Sequence, residues 1–315
     1  MSFDALLGND RLKQNLAESL AKNHISHFYL ISGPRGAGKQ TLAKLLAQAI
    51  LCQGKRKPCG SCESCRKLQS GNHPDFITVE DPEHKNVAVK IVRAFREDVF
   101  IRPNESDYKI YLFPQDLGIE GQNALLKILE EPPQYGVFLL LTDNPEKLLP
   151  TVRSRCTELK LLPLPEKTLM AYLSARFPDK GQEDLAAAAA RSGGFLGQAL
   201  ELLETGGALP PQTEGFVSAI AAKDPLLLAQ TLAPMEKWKR DALVEILRSW
   251  LELTEQALSC RSGIQTVSSQ ARTLSRSRTA AELYAIAGTL KKVLEYAMGN
   301  VSPGAVCGWL IWELR

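Results

Sequence analysis

The chain has 315 residues, 44% hydrophobic and 23% charged, with a formal net charge of +3. That is long enough for two or three domains and too ordinary in composition for a disordered protein. A charge this small does not mark a dedicated nucleic-acid binder with a strongly basic surface, so any contact with DNA is expected to be local or shared with partners. The opening Met1, Ser2, Phe3, Asp4 carries neither a basic region nor a long apolar run, and no stretch approaches ~18 apolar residues. A cytoplasmic location without membrane contact is therefore expected.

Leu12, Leu16 and Leu20, with charges between them, predict an amphipathic helix over 9–22. A short apolar run at 28–31 predicts a strand, 32–38 a glycine-rich loop and 41–51 a helix. An irregular insert follows at 52–65. Strands are predicted at 76–79, 108–113 and 137–142, with helices at 87–100 and 121–131, the latter closed by Pro132 and Pro133. Alternating β and α segments imply a parallel sheet flanked by helices. Past Pro165 the pattern becomes short helices to Leu203, a Gly/Pro-rich linker at 206–211, and helix to the end. The expected domains are an α/β P-loop-like domain over 1–165, a small helical domain over 166–207 and an all-α domain over 208–315.

Gly33, Pro34, Arg35, Gly36, Ala37, Gly38 and Lys39 fit the P-loop frame as far as its lysine. Such glycines let backbone N–H groups cradle phosphate at a helix N-terminus, and Lys39 would reach the β- and γ-phosphates. The alternative is a glycine turn that never meets nucleotide. A P-loop next needs Ser or Thr as a Mg²⁺ ligand, and the chain has Gln40. Thr41 is rotated by about 100° on a helix and is no simple substitute. The strand at 109–113 should end in a carboxylate for Mg²⁺ and a second one for the attacking water; it ends in Pro114, Gln115 and Asp116. Asp116 is displaced by about 6–7 Å along extended chain, far too much for an octahedral ion with bonds of about 2.1 Å. It is expected to be a solvated loop residue, and ATP with Mg²⁺ is not expected to be hydrolysed.

Cys52, Cys59, Cys62 and Cys65 form C-x6-C-x2-C-x2-C, and Gly60 eases a knuckle between them. Four thiolates complete a tetrahedral Zn²⁺ and leave no position for a substrate water, so a structural zinc is expected; an iron–sulfur site or free thiols are the alternatives. Lys55, Arg56, Lys57, Arg66 and Lys67 either meet nucleic acid or solvate the insert. His24 and His27, and separately Cys260 and Cys307, are expected to pack rather than to ligate.

Together these segments resemble the bacterial clamp-loader family of AAA+ proteins, the loader of DNA polymerase III. The strand and P-loop at 27–39, the four cysteines, the helix at 123–133 and Ser154-Arg155-Cys156 stand in the family's order. The resemblance implies an AAA+ core, a helical lid and a C-terminal collar domain. It implies tau/gamma motor subunits and a delta subunit as partners, with the sliding clamp and primed DNA engaged by the assembly. It also implies that Arg155 is an arginine finger acting on a neighbouring subunit's ATP. The family's motors carry an arginine in a Gly-x-x-Arg-x-Ala-Leu pattern; here Gly197 stands in that place between Gly194 and Leu200. With Gln40, Pro114 and Gln115, this likens the chain to the family's stationary, non-hydrolysing branch. An autonomous ATPase motor and a zinc-dependent DNA-binding protein are the rival readings.

Overall fold

The computed structural model describes residues 3–55, 57–83, 86–204, 210–263, 268–299 and 301–314. The chain divides into two compact units, Met1–Leu203 and Glu204–Arg315. The expected linker at 206–211 lies mostly outside the described residues, as does Arg56.

The first unit holds a five-stranded, all-parallel sheet in the order β2-β3-β4-β1-β5. Its strands are β1 (Phe28–Ser32), β2 (Phe76–Thr78), β3 (Lys109–Phe113), β4 (Gly136–Thr142) and β5 (Thr157–Lys160). The three central strands are buried along their whole length, which explains why they read as unbroken apolar runs. Side chains alternate between the sheet faces. Tyr29, Ile31, Ile110, Leu112, Leu139 and Leu141 pack with α1 (Asp10–Ala21), α2 (Lys39–Leu51) and α3 (Glu63–Gln69). Phe28, Leu30, Tyr111, Phe113, Phe138 and Leu140 pack with α4 (Val89–Asp98), α5 (Ile119–Glu130) and α6 (Pro150–Arg153). On that second face Phe138 stacks on Phe28 with ring centres 4.3 Å apart, and Phe95 meets it edge-on at 5.8 Å.

The single-turn α6, β5 and α3 were not expected. β5 is an edge strand reading Thr-Glu-Leu-Lys with Leu159 alone buried, so it lacks the apolar run that marks the central strands. The insert is not irregular throughout, because α3 begins inside it, with the Cys62 side chain capping its N-terminus at the Cys65 amide. A separate small core joins α7 (Glu166–Arg176), α8 (Gln182–Arg191) and α9 (Leu196–Glu204) through Leu169, Leu173, Leu185, Ala199 and Leu203.

The second unit is helical: α10 (Pro211–Ala222), α11 (Pro225–Leu232), α12 (Arg240–Arg261), α13 (Ser269–Ser277), α14 (Ala280–Met298) and α15 (Pro303–Leu314). Its core is organised on Trp250, stacked on Phe216 at 4.3 Å and donating its indole N–H to Thr213 Oγ1 at 3.0 Å. Cys307 is buried there, as expected of a packing residue. Among the described residues no helix is long and apolar enough to cross a membrane. The fold class is as expected: a parallel α/β core followed by helices.

Candidate functional site

The carboxyl edge of β1, β3 and β4 gathers the glycine loop and the residues that follow β3, at the sheet edge where ligands of open α/β folds bind. Gly33, Gly36 and Gly38 all have positive φ (154°, 78° and 93°), and Gly38 precedes Lys39 at the start of α2. The loop thus has the backbone that glycine permits. Its lysine, however, is engaged within the protein. Lys39 Nζ donates to the carbonyls of Gly33 (2.6 Å) and Pro34 (3.0 Å) and pairs with Asp143, and its side chain is only 13% exposed. Gln40 and Thr41 are exposed.

The groups beyond β3 are likewise committed. Gln115 braces the backbone of Asp81, donating to its carbonyl at 2.9 Å and accepting its N–H at 2.7 Å. Asp116 departs from the expectation of a solvated residue. It accepts from Thr142 Oγ1 at 2.9 Å and pairs with Lys147 at 3.1 Å, because β3 and β4 are neighbours and end side by side. These residues do not fit a Mg²⁺–triphosphate: a carboxylate stands at neither expected position, and the loop's ammonium is neutralised by Asp143. A cavity of about 240 Å³ lies between the loop and the small helical core, lined by Gly36, Gly38 and Thr41 on one side and Gly194, Phe195 and Gly197 on the other.

The four cysteines converge. Their sulfurs all lie within 4.8 Å of one another, with Cys52–Cys62 and Cys59–Cys65 each at 3.9 Å. Zn–S bonds of about 2.3 Å place tetrahedral sulfurs about 3.8 Å apart, so the donor set fits such an ion. Backbone N–H groups point at the sulfurs: Gly54 and Cys59 at Cys52, and Cys62 at Cys59, over 3.3–3.4 Å. The N–H groups of Ser61 and Cys62 hold the Cys59 thiol down at about 5, whereas burial pushes Cys65 up to about 12. The cluster is positioned to bind a metal ion. Behind it, Ser64 donates to the Leu51 carbonyl (2.8 Å) and meets His73 Nε2 (3.0 Å), tying α3 to the end of α2. Lys55 and Lys57 are exposed.

Arg155 lies on the turn between α6 and β5. The Cys156 side chain beneath it donates to the Val152 carbonyl, and burial raises that thiol to about 11. The Arg155 side chain is 40% exposed; its guanidinium donates to the Thr151 carbonyl at 2.9 Å and pairs loosely with Glu130 at 3.4 Å. Its neighbour Arg153 is held harder, by Glu146 at 2.6 Å and Glu158 at 3.5 Å, and Glu158 in turn accepts from Ser32 of β1.

A family described as "DNA polymerase III, delta subunit" matches residues 8–165, the stretch that carries the loop, the cysteines and Arg155. The chain belongs to that family. Its relatives include the DNA polymerase III subunit gamma/tau of Mycobacterium tuberculosis, 37% identical over 177 residues, and the subunit delta' of Bacillus subtilis, 36% identical over 162 residues. The first alignment covers 55% of this chain and 31% of the relative; the second covers 50% and 49%. The chain thus spans only part of the length of the curated relatives it matches. A solved gamma subunit-related protein of Thermotoga maritima aligns over 96% of this chain and 98% of its own, at 16% identity and a TM-score of 0.48.

For this member of the DNA polymerase III delta family, no motif signals Asp143, the counter-charge to Lys39, or Asp75. The latter is fully buried and accepts from the N–H groups of Asn104, Glu105 and Ser106. Both partnerships join segments about 30 to 100 residues apart. Within the chain they follow no fixed spacing that a motif could report.

Proposed function

We propose that the chain is a delta-prime-type subunit of a DNA polymerase III clamp loader: a stationary component that lends an arginine to a neighbour and does not hydrolyse ATP itself. The observation that carries this is a contrast in side-chain commitment. Lys39 is 13% exposed and neutralised by Asp143 and two loop carbonyls, while Arg155 is 40% exposed and restrained by one local bond to the Thr151 carbonyl and a 3.4 Å ion pair. An exposed pair of that kind is worth at most about 1 kcal/mol, so releasing the guanidinium to a γ-phosphate on another subunit is cheap. The guanidinium is planar and permanently charged, which suits stabilisation of charge developing on phosphoryl oxygens.

In this role the α/β domain and the small helical domain provide rigid geometry, and the helical domain from about 208 onward provides the collar contact. The partners are tau/gamma motors and a delta subunit, and the assembly places a sliding clamp on primed DNA in the cytoplasm. The four cysteines hold a structural Zn²⁺; with all four positions filled by thiolate, it offers no site for a reacting water. The relatives named delta' and gamma/tau support the clamp-loader reading.

The test is a reconstituted loader in which this subunit carries Arg155→Ala, with ATPase measured in the presence of clamp and primed DNA. Arginines supplied in trans contribute about 10³–10⁵ in rate at the site they serve. Loss of one site's share of turnover, with assembly intact, is the expected result. Unchanged turnover removes the trans-arginine role and leaves a purely structural subunit. The chain alone is expected to show no Mg²⁺-dependent hydrolysis.

A further inference from the structure

The tip of the P-loop and the first turn of α9 meet backbone to backbone. The Gly197 N–H donates to the Gly36 carbonyl at 2.9 Å, and Gln198 Nε2 donates to the Arg35 carbonyl at 2.8 Å. Arg35 pairs with Glu201 one turn further on, at 3.1 Å. The approach requires two residues without side chains. A β-carbon on Gly197 would lie 2.6 Å from Gly36 Cα and 2.8 Å from Gly36 O. One on Gly36 would lie 2.6 Å from the Gln198 nitrogen, at a φ of +78° that already disfavours any other residue. The opposing atoms are backbone, so no change of rotamer relieves either clash.

A second close approach anchors the turn before α9. Gly194 has φ +85° and accepts the Leu164 N–H at 2.8 Å, and a β-carbon there would lie 2.9 Å from the Leu164 carbonyl. The lid helix is thus pinned at both ends of its N-terminal turn. Helix starts leave N–H groups without intrahelical partners; in α9 one of them is satisfied by the P-loop itself. With Lys39 turned onto Gly33, Pro34 and Asp143, the protein fills from within the contacts a phosphate would otherwise make with the loop's lysine.

We infer that Gly197 is a clasp: its lack of a side chain lets the small helical domain close directly on Gly36, holding the nucleotide site shut and fixing the first unit in one lid-closed conformation. The glycine at this position is therefore more than a missing arginine. It builds a contact that any side chain at this position would forbid. The inference concerns the first unit alone and does not depend on Arg155 or on the clamp-loader role.

The experiment uses the full chain and two variants, Gly197→Ala and Gln198→Ala, with hydrogen–deuterium exchange read over 33–42 and 194–204. A fluorescent ATP analogue is titrated in parallel, with and without Mg²⁺. The wild-type chain is expected to exchange slowly in both segments and to bind no analogue saturably. Gly197→Ala is expected to speed exchange in both segments by about tenfold to hundredfold, the range an overpacked contact produces. Gln198→Ala, which adds no clash and keeps the test open if the alanine variant misfolds, is expected to speed exchange several-fold, as loss of one hydrogen bond of about 1 kcal/mol does. Exchange unchanged in the variants overturns the clasp. So does saturable binding of the analogue by the wild-type chain with exchange in 194–204 left as it was.

Discussion

Replacing Asp75 by alanine should destabilise the first unit by about 3 kcal/mol. The carboxylate is fully buried; one oxygen accepts the Asn104 N–H, and the other accepts those of Glu105 and Ser106 at 2.9 Å each. Removing it strands three backbone donors, at roughly 1–3 kcal/mol apiece. Asn104 and Glu105 are themselves exposed, so water replaces part of the lost bonding and the lower end applies. Burial alone would raise the Asp75 pKa, but the three N–H groups and the Asn104 side chain outweigh it and hold the carboxyl below its ordinary value. A depressed carboxyl stabilises the fold above the unfolded-state pKa of about 3.9, and that contribution is lost as pH falls through the folded value. The gap between wild type and Asp75→Ala should therefore be constant from pH 8 to about 5 and narrow below about 4. Urea unfolding followed by far-UV circular dichroism measures it. All four tryptophans lie in the second unit, so their fluorescence isolates that unit's transition. With a slope near 3 kcal/mol per molar, the midpoint should fall by about 1 M. A shift under 0.3 M on the same scale, or a gap undiminished at pH 3, would refute this account.

Cys65→Ser leaves one tetrahedral position to water and should weaken zinc binding, read as faster transfer of the ion to a competing chelator than from the wild-type chain; an unchanged transfer rate would point to a different ligand set. Gln115→Glu sets a carboxylate against the Asp81 carbonyl in place of an amide donor at 2.9 Å, so it should destabilise by about 2 kcal/mol and yield no ATPase, whereas measurable turnover would show that the site needs only its acid. Thr213→Val removes the acceptor of the buried Trp250 indole N–H and should cost about 2 kcal/mol, read as an earlier loss of tryptophan signal in urea. Glu282 closes a capping box with Thr279. The Lys223 ammonium first, then the Thr279 N–H, hold its carboxyl down at about 2. Its contribution is thus present above about 4.5 and lost towards pH 2, a dependence that Glu282→Gln should abolish from the acid limb of the helical unit's stability profile.

The local chain already determined the phosphate-loop backbone, the knuckle spacing of Cys59, Cys62 and Cys65, and the βα alternation of the first unit. In each, the controlling contacts lie within a few residues, or one periodicity reports burial directly. Gln40, Pro114 and Gln115 were legible for the same reason, since they occupy fixed offsets within a strand or loop. Tertiary structure alone decided the rest. β5 exists because it pairs with β1, not because Thr-Glu-Leu-Lys favours a strand. Asp116 is held by Thr142 and Lys147 because β3 and β4 end together. Lys39 is neutralised by a carboxylate about a hundred residues away, and Gly36 meets Gly197 from the small helical core of the same unit. Arg153 and Arg155 look alike in the sequence; only the placement of Glu146, Glu158 and Glu130 shows one tied to the sheet and the other lightly held. Charge and spacing announce which groups are present, but which of them are already spent on one another is settled only when distant segments pack together.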